Sequence, residues 1–145
     1  MDDQIVRILD RKGRDVETVP DTATVCDAVE RMNARKIGAV LVGDEHGRPS
    51  GIFTERDVLV RVIACGIDPK VTPVRDVMTR DLVTVAPDTT VGDALAIVTE
   101  HKCRHLPVVD GEGVCGLISS GDLVSWIVRN QQQVIDDLHE YIRAS

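Results

Sequence analysis

"TVPDTATVCDAVERM" (residues 18–32) and "TVAPDTTVGDALAIV" (84–98) are two versions of one stretch. Thr18-Val19 meets Thr84-Val85, Thr24-Val25 meets Thr90-Val91, and Asp27-Ala28 meets Asp93-Ala94, all 66 residues apart. The same offset carries "AVLVGD" (39–44) onto "HLPVVD" (105–110). After a one-residue slip, "GIFTERD" (51–57) lands on "GLISSGD" (116–122). Upstream, "VRIL" (6–9) resembles "VRDVM" (74–78), so each copy has its own lead-in. Two copies are too few for a solenoid and imply a paired unit with internal two-fold symmetry.

Each copy reads β-α-β-β-α. A short strand (16–19; 82–85) precedes a helix opened by Thr24 or Thr90, with Asp27 or Asp93 completing a capping box. Val25, Ala28, Val29 and Met32, and in the second copy Val91, Ala94, Leu95 and Val98, form one apolar stripe at i, i+3, i+4, i+7. Apolar runs (39–42; 106–109) and turn residues (44–47; 110–113) follow, and a third strand ends in the Gly-x-x-Thr/Ser-x-x-Asp motif. A second helix spans 55–64 in one copy and begins near Ser120 in the other. The fold class is α/β (α+β). Residues 1–68 form the first repeat with its lead-in, 69–130 the linker and second repeat, and 131–145 a C-terminal helix; the stretch 124–145 has Val128, Ile135, Leu138 and Ile142 on one face, a packing or dimer-contact surface.

The repeated motif has two readings. Thr54-x-x-Asp57 and Ser119-x-x-Asp122 each fit a helix capping box. A helix N-terminus reached from a strand end also suits a phosphate. There the hydroxyl of Thr54 or Ser119 can donate to phosphate or ribose, and Asp57 or Asp122 can accept from ribose hydroxyls. Gly51 and Gly116 leave room for a close backbone approach.

Composition narrows the partners. The net charge is −7 and aromatics make up 2% of 145 residues, so neither the basic face nor the stacking platform of a nucleic-acid binder is present. No apolar stretch approaches the ~20 residues of a membrane span. The N-terminus lacks the layout of a signal peptide. The 43% hydrophobic content suffices for a core without covalent staples. The four scattered cysteines then read as small buried residues in a reducing compartment, the cytoplasm. The histidines show no metal-ligand spacing.

The β-α-β-β-α duplication, the "PVRDVMT" lead-in (73–79), the "RHLPVVD" strand (104–110) and the twofold motif resemble a tandem pair of cystathionine-β-synthase (CBS) domains, without an attached catalytic domain. The resemblance implies two clefts between the repeats. In them Asp57 and Asp122 bind ribose hydroxyls, Thr54 and Ser119 lie near ribose or phosphate, and Arg56 meets phosphate. Thr18 and Thr84 line the base pocket, and Arg104, His105 and Pro107 contribute to the same clefts. It further implies an adenosine ligand (AMP, ADP, ATP, NAD(H) or S-adenosylmethionine), a homodimer and an unidentified regulated protein. The copies differ: Ser120-Gly121 replaces Glu55-Arg56, so the second motif lacks the local phosphate cation and Asp57 is favoured over Asp122. Arg56 also reads as a solvated helix residue, and His105 as a core histidine.

No nucleophile elbow, metal triad or phosphate-binding loop appears, which argues against an enzyme. Two functions remain. One is a sensor that binds an adenosine ligand and modulates a partner protein. The other is a structural dimerisation or adaptor module whose motifs are only helix caps.

Overall fold

The computed structural model describes residues 2–111 and 113–144. Glu112 of the expected turn and Ser145 of the expected C-terminal helix lie outside them. The first repeat holds β1 (Thr18–Pro20), α2 (Val25–Arg35), β2 (Ala39–Gly43), β3 (Pro49–Thr54) and α3 (Glu55–Asp57), the last continuing without a break as a π-helix over Val58–Ile63. The second holds α4 (Val91–His101), β4 (His105–Asp110), β5 (Gly113–Ser119) and α5 (Ser120–Ala144). Ahead of them lie α1 (Val6–Lys12) and, between the repeats, a 3-10 turn (Val74–Asp76).

β1 runs parallel to β2 and β2 antiparallel to β3, with Thr18 opposite Leu41 and Ala39 opposite Thr54. β4 and β5 pair antiparallel, with His105 opposite Ser119. The expected strand over 82–85 shrinks to one parallel bridge, Val85 to Val108. The capping residues form as read: Thr24 Oγ1 accepts from the Asp27 amide at 3.1 Å and Thr90 Oγ1 from the Asp93 amide at 3.1 Å. α5 runs unbroken across residue 130, so residues 131–144 extend that helix rather than start another.

The two lead-ins cross over. Ile5, Ile8 and Leu9 pack with Val91, Leu106 and Leu123 in the core of the second repeat. Val74, Val77 and Met78 pack with Val19, Phe53 and Val62 in the core of the first. A third cluster, Ala39, Leu41 and Ile52 with Val114 and Leu117, joins the sheets. Each repeat therefore completes its core with the segment preceding the other.

This crossover explains the two motif glycines. A Cβ on Gly51 would stand 2.5 Å from Met78 Sδ and 2.8 Å from the Thr79 carbonyl oxygen; one on Gly116 would stand 2.6 Å from Leu9 Cδ2. The room expected for a ligand is filled by the lead-ins. The four cysteines are free thiols, but contrary to expectation none is fully buried and Cys65 is exposed. No helix of the described residues is long and apolar enough to cross a membrane.

Candidate functional site

At the first junction β3 turns into α3 at Thr54. The Asp57 amide donates to Thr54 Oγ1 (3.3 Å) and the Thr54 amide to Asp57 Oδ2 (3.0 Å), a reciprocal cap. Thr79, from the lead-in of the other repeat, donates its hydroxyl to Asp57 Oδ1 and Oδ2 at 3.1 and 3.3 Å. Arg61 Nε lies 3.5 Å from Oδ1. Asp57 is 6% exposed, the one buried charged residue among those described. Burying a carboxylate is costly without such partners, and here both oxygens are engaged by groups of the protein. Arg56 is exposed.

The second junction has the same cap and a different third partner. The Ser119 amide donates to Asp122 Oδ2 (2.9 Å) and the Asp122 amide to Ser119 Oγ (3.0 Å). Where the first junction has a neutral hydroxyl, Lys12 at the end of α1 brings Nζ to 2.6 Å from Asp122 Oδ2 and donates to the Leu117 carbonyl at 2.8 Å. This ion pair is open, with side chains 38% and 26% exposed. Burial alone would raise the Asp122 carboxyl. The Lys12 bond and charge and the Ser119 amide outweigh it and hold the group below the ordinary carboxylate range.

Asp122 also borders a hollow of about 310 Å³ between α1 and α5, lined by Arg11, Lys12, Ser125, Trp126 and Arg129. The Arg11 guanidinium lies 4.6 Å over the Trp126 ring. Asp3 ties the N-terminal segment to α5 by accepting from Trp126 Nε1 (3.0 Å) and Asn130 Nδ2 (2.8 Å). A more open hollow of about 470 Å³ lies against Asp27 and Glu30, away from both motifs. Its two carboxylates suit a phosphate poorly, and the Arg31 that also lines it is already paired with Glu17 at 2.8 Å.

His105 stands between the junctions. It pairs across β4–β5 with Ser119, and its Cε1 and Glu55 Oε1 both lie within 4 Å of where a Cβ on Gly38 would stand. Its Nδ1 is buried without a hydrogen-bond partner. Burial first, then the Lys12 charge, hold the imidazole below its ordinary value, against the pull of Asp122 and Glu55. Arg104 is exposed and its carbonyl accepts from the Ser120 amide at 2.8 Å. Pro107 is buried, its carbonyl taken by the Val85 amide. Thr18 and Thr84 are exposed, and among the described residues neither hydrogen-bonds to a motif side chain.

The structure thus gathers His105, Ser119 and Asp122 at one junction and Thr54 and Asp57 at the other. Sequence reasoning missed Lys12, Thr79 and Arg61. The similarity of the two lead-ins was a signal for the first two. It could not say which repeat each lead-in serves. Among the described residues no cluster of His, Cys, Asp and Glu could hold a metal ion.

Comparison with known proteins gives one result throughout. The profile of the CBS domain matches residues 9–64 and again 74–129. The mitochondrial CBS domain-containing protein CBSX3 of Arabidopsis thaliana is 38% identical over 124 residues, covering 83% of this chain and 60% of that protein. The chain therefore spans less than two thirds of that relative's length. A solved CBS-domain protein of Burkholderia ambifaria MC40-6 superposes with a TM-score of 0.85 at 38% identity, covering 89% of this chain and 96% of the other. A hexameric CBS-CP12 protein from bloom-forming cyanobacteria matches with a TM-score of 0.74 at 33% identity, over 83% of this chain and 69% of that one.

Proposed function

This chain belongs to the CBS-domain family as a tandem pair of repeats, and on that premise we propose that it is a regulatory module that binds an adenosine ligand and through it modulates another protein. AMP, ADP, ATP and NAD(H) are the ligands proposed first. S-adenosylmethionine, which carries no phosphate, comes second. The chain acts as a homodimer in the cytoplasm, although the Arabidopsis relative is named mitochondrial. Family membership supports a regulatory rather than a catalytic role.

One observation carries the reading. Asp122 is a partly exposed carboxylate at a helix N-terminus, beside a hydroxyl that accepts from the backbone and keeps a proton to donate, at the edge of a hollow with three cations. A carboxylate there accepts from ribose hydroxyls by charge-assisted bonds worth roughly 1.5–3 kcal/mol. The first junction favours the second reading, an adaptor without a ligand. Asp57 is buried and fully engaged by the protein itself.

Thermal unfolding tests both. A ligand at 100 times its dissociation constant adds about 2.7 kcal/mol, roughly 5–10 °C for a chain of this size. AMP, ATP or NAD(H) at millimolar concentration should produce such a rise in wild type and in Asp57→Asn, and a much smaller one in Asp122→Asn. If none of these compounds nor S-adenosylmethionine moves the wild-type curve, the adaptor reading replaces the sensor.

A further inference from the structure

Resting on the nucleotide reading, we infer that Lys12 is the phosphate-selecting residue of the second junction: it yields Asp122 to a ribose when the ligand brings a phosphate to receive its ammonium. The sequence leaves this motif without a cation, since Ser120-Gly121 stands where the first has Glu55-Arg56. The fold supplies one from 110 residues away.

Asp122 Oδ2 already accepts from the Ser119 amide and from Lys12, and among the described residues Oδ1 has no partner. A ribose that places one hydroxyl on each carboxylate oxygen brings a third donor to Oδ2, and Lys12 is the side chain there that can swing away. An open ion pair of this kind is weak enough to be displaced. The displaced ammonium keeps only the Leu117 carbonyl. Uncharged adenosine leaves it uncompensated, and a cationic ligand is repelled. A phosphate accepts it in a charge-assisted bond. Arg11 and Arg129 line the same hollow, giving three cations to one carboxylate, and Arg11 is held by its stack on Trp126. At the first junction neutral Thr79 occupies the place of Lys12, and the nearby cation, Arg61, is anchored on the Met78 carbonyl at 3.0 Å and lies 3.5 Å from Asp57 Oδ1.

The test is calorimetric titration of wild type, Lys12→Met and Lys12→Arg with AMP, adenosine and inorganic phosphate. Wild type should prefer AMP to adenosine at least tenfold. In Lys12→Met that preference should shrink about tenfold through weaker AMP binding, with adenosine unchanged or tighter. Lys12→Arg should keep most of the preference, and retained adenosine binding by Lys12→Met shows that its loss of AMP affinity is not misfolding. An AMP-to-adenosine ratio that is the same in wild type and Lys12→Met overturns the inference. So does tighter AMP binding by Lys12→Met, which would make Lys12 a plain competitor. Inorganic phosphate binding wild type as tightly as AMP overturns it too, since the hollow would then be an anion site unrelated to ribose. In each of these cases the nucleotide reading fails only if wild type binds no AMP at all, which removes both.

Discussion

A histidine with one ring nitrogen buried and unpartnered resists protonation, and His105 is so placed. Lys12 and Arg104 add to that resistance, while Asp122 and Glu55 oppose it. Its folded value is depressed below that of the unfolded chain. The stability it contributes is therefore complete above about pH 6.5 and is lost as pH falls below that, because the unfolded chain takes the proton first. Denaturant unfolding from pH 7.5 to 5 should show wild type losing stability faster than His105→Gln, by at most about 1.4 kcal/mol per pH unit. Parallel curves for the two proteins would count against this. At the residue scale the motif side chains were legible, because hydroxyl and carboxylate three apart speak of a helix start in any sequence. Their third partners were not. Lys12 and Thr79 reach Asp122 and Asp57 across 110 and 22 residues, and nothing local marks such a pair.

The helices of each repeat end alike. α2 and α4 stop at Lys36 and Lys102, both in the left-handed region with φ of 55° and 53°. A side chain costs about 1 kcal/mol or more there, which glycine escapes. Lys36→Gly and Lys102→Gly should each raise stability by about 0.5–1 kcal/mol, a gain of roughly 1–4 °C in thermal unfolding. Equal or lower melting temperatures would show that the lysines make compensating contacts. At this scale the amphipathic helices and the β2–β3 and β4–β5 hairpins were plain from periodicity and turn residues. Two features were not. Residues 82–85 carry strand-forming residues yet pair only through Val85, since pairing depends on the neighbour rather than on propensity. The π-helix over Val58–Ile63 has the same apolar spacing an α-helix would, so its wider hydrogen bonding left no mark in the sequence.

The crossover of lead-ins was visible as a duplication but not as a swap, because either lead-in satisfies the pattern of either repeat. Its consequence is a molecule in which α1 and α5 meet, tied by Asp3, Trp126, Arg11 and the Lys12–Asp122 pair. α5 turns Leu123 and Trp126 into the core and leaves Val124, Val128, Ile135 and Leu138 on another side, each between 47% and 57% exposed. That spacing of four, seven and three residues matches the apolar repeat of helices that pair side by side. Residues 131–144 are exposed throughout. A helical stretch of that length is marginal in water. The side-chain bonds from Gln132 to Asp136 and Gln133 to Asp137 add only tenths of a kcal/mol. A second copy laid along the seam removes both difficulties, and burial of each such side chain contributes roughly 1.5–3 kcal/mol. Light scattering at micromolar concentration should therefore give twice the chain mass for wild type. Ile135→Glu with Leu138→Glu should give the single-chain mass with the sheets and the Asp122 junction intact, because neither residue belongs to a core cluster. A monomeric wild type would remove the dimer, and a double variant that stays dimeric would move the interface off the α5 seam, with the exposed Leu59 and Ile63 as the next surface to alter.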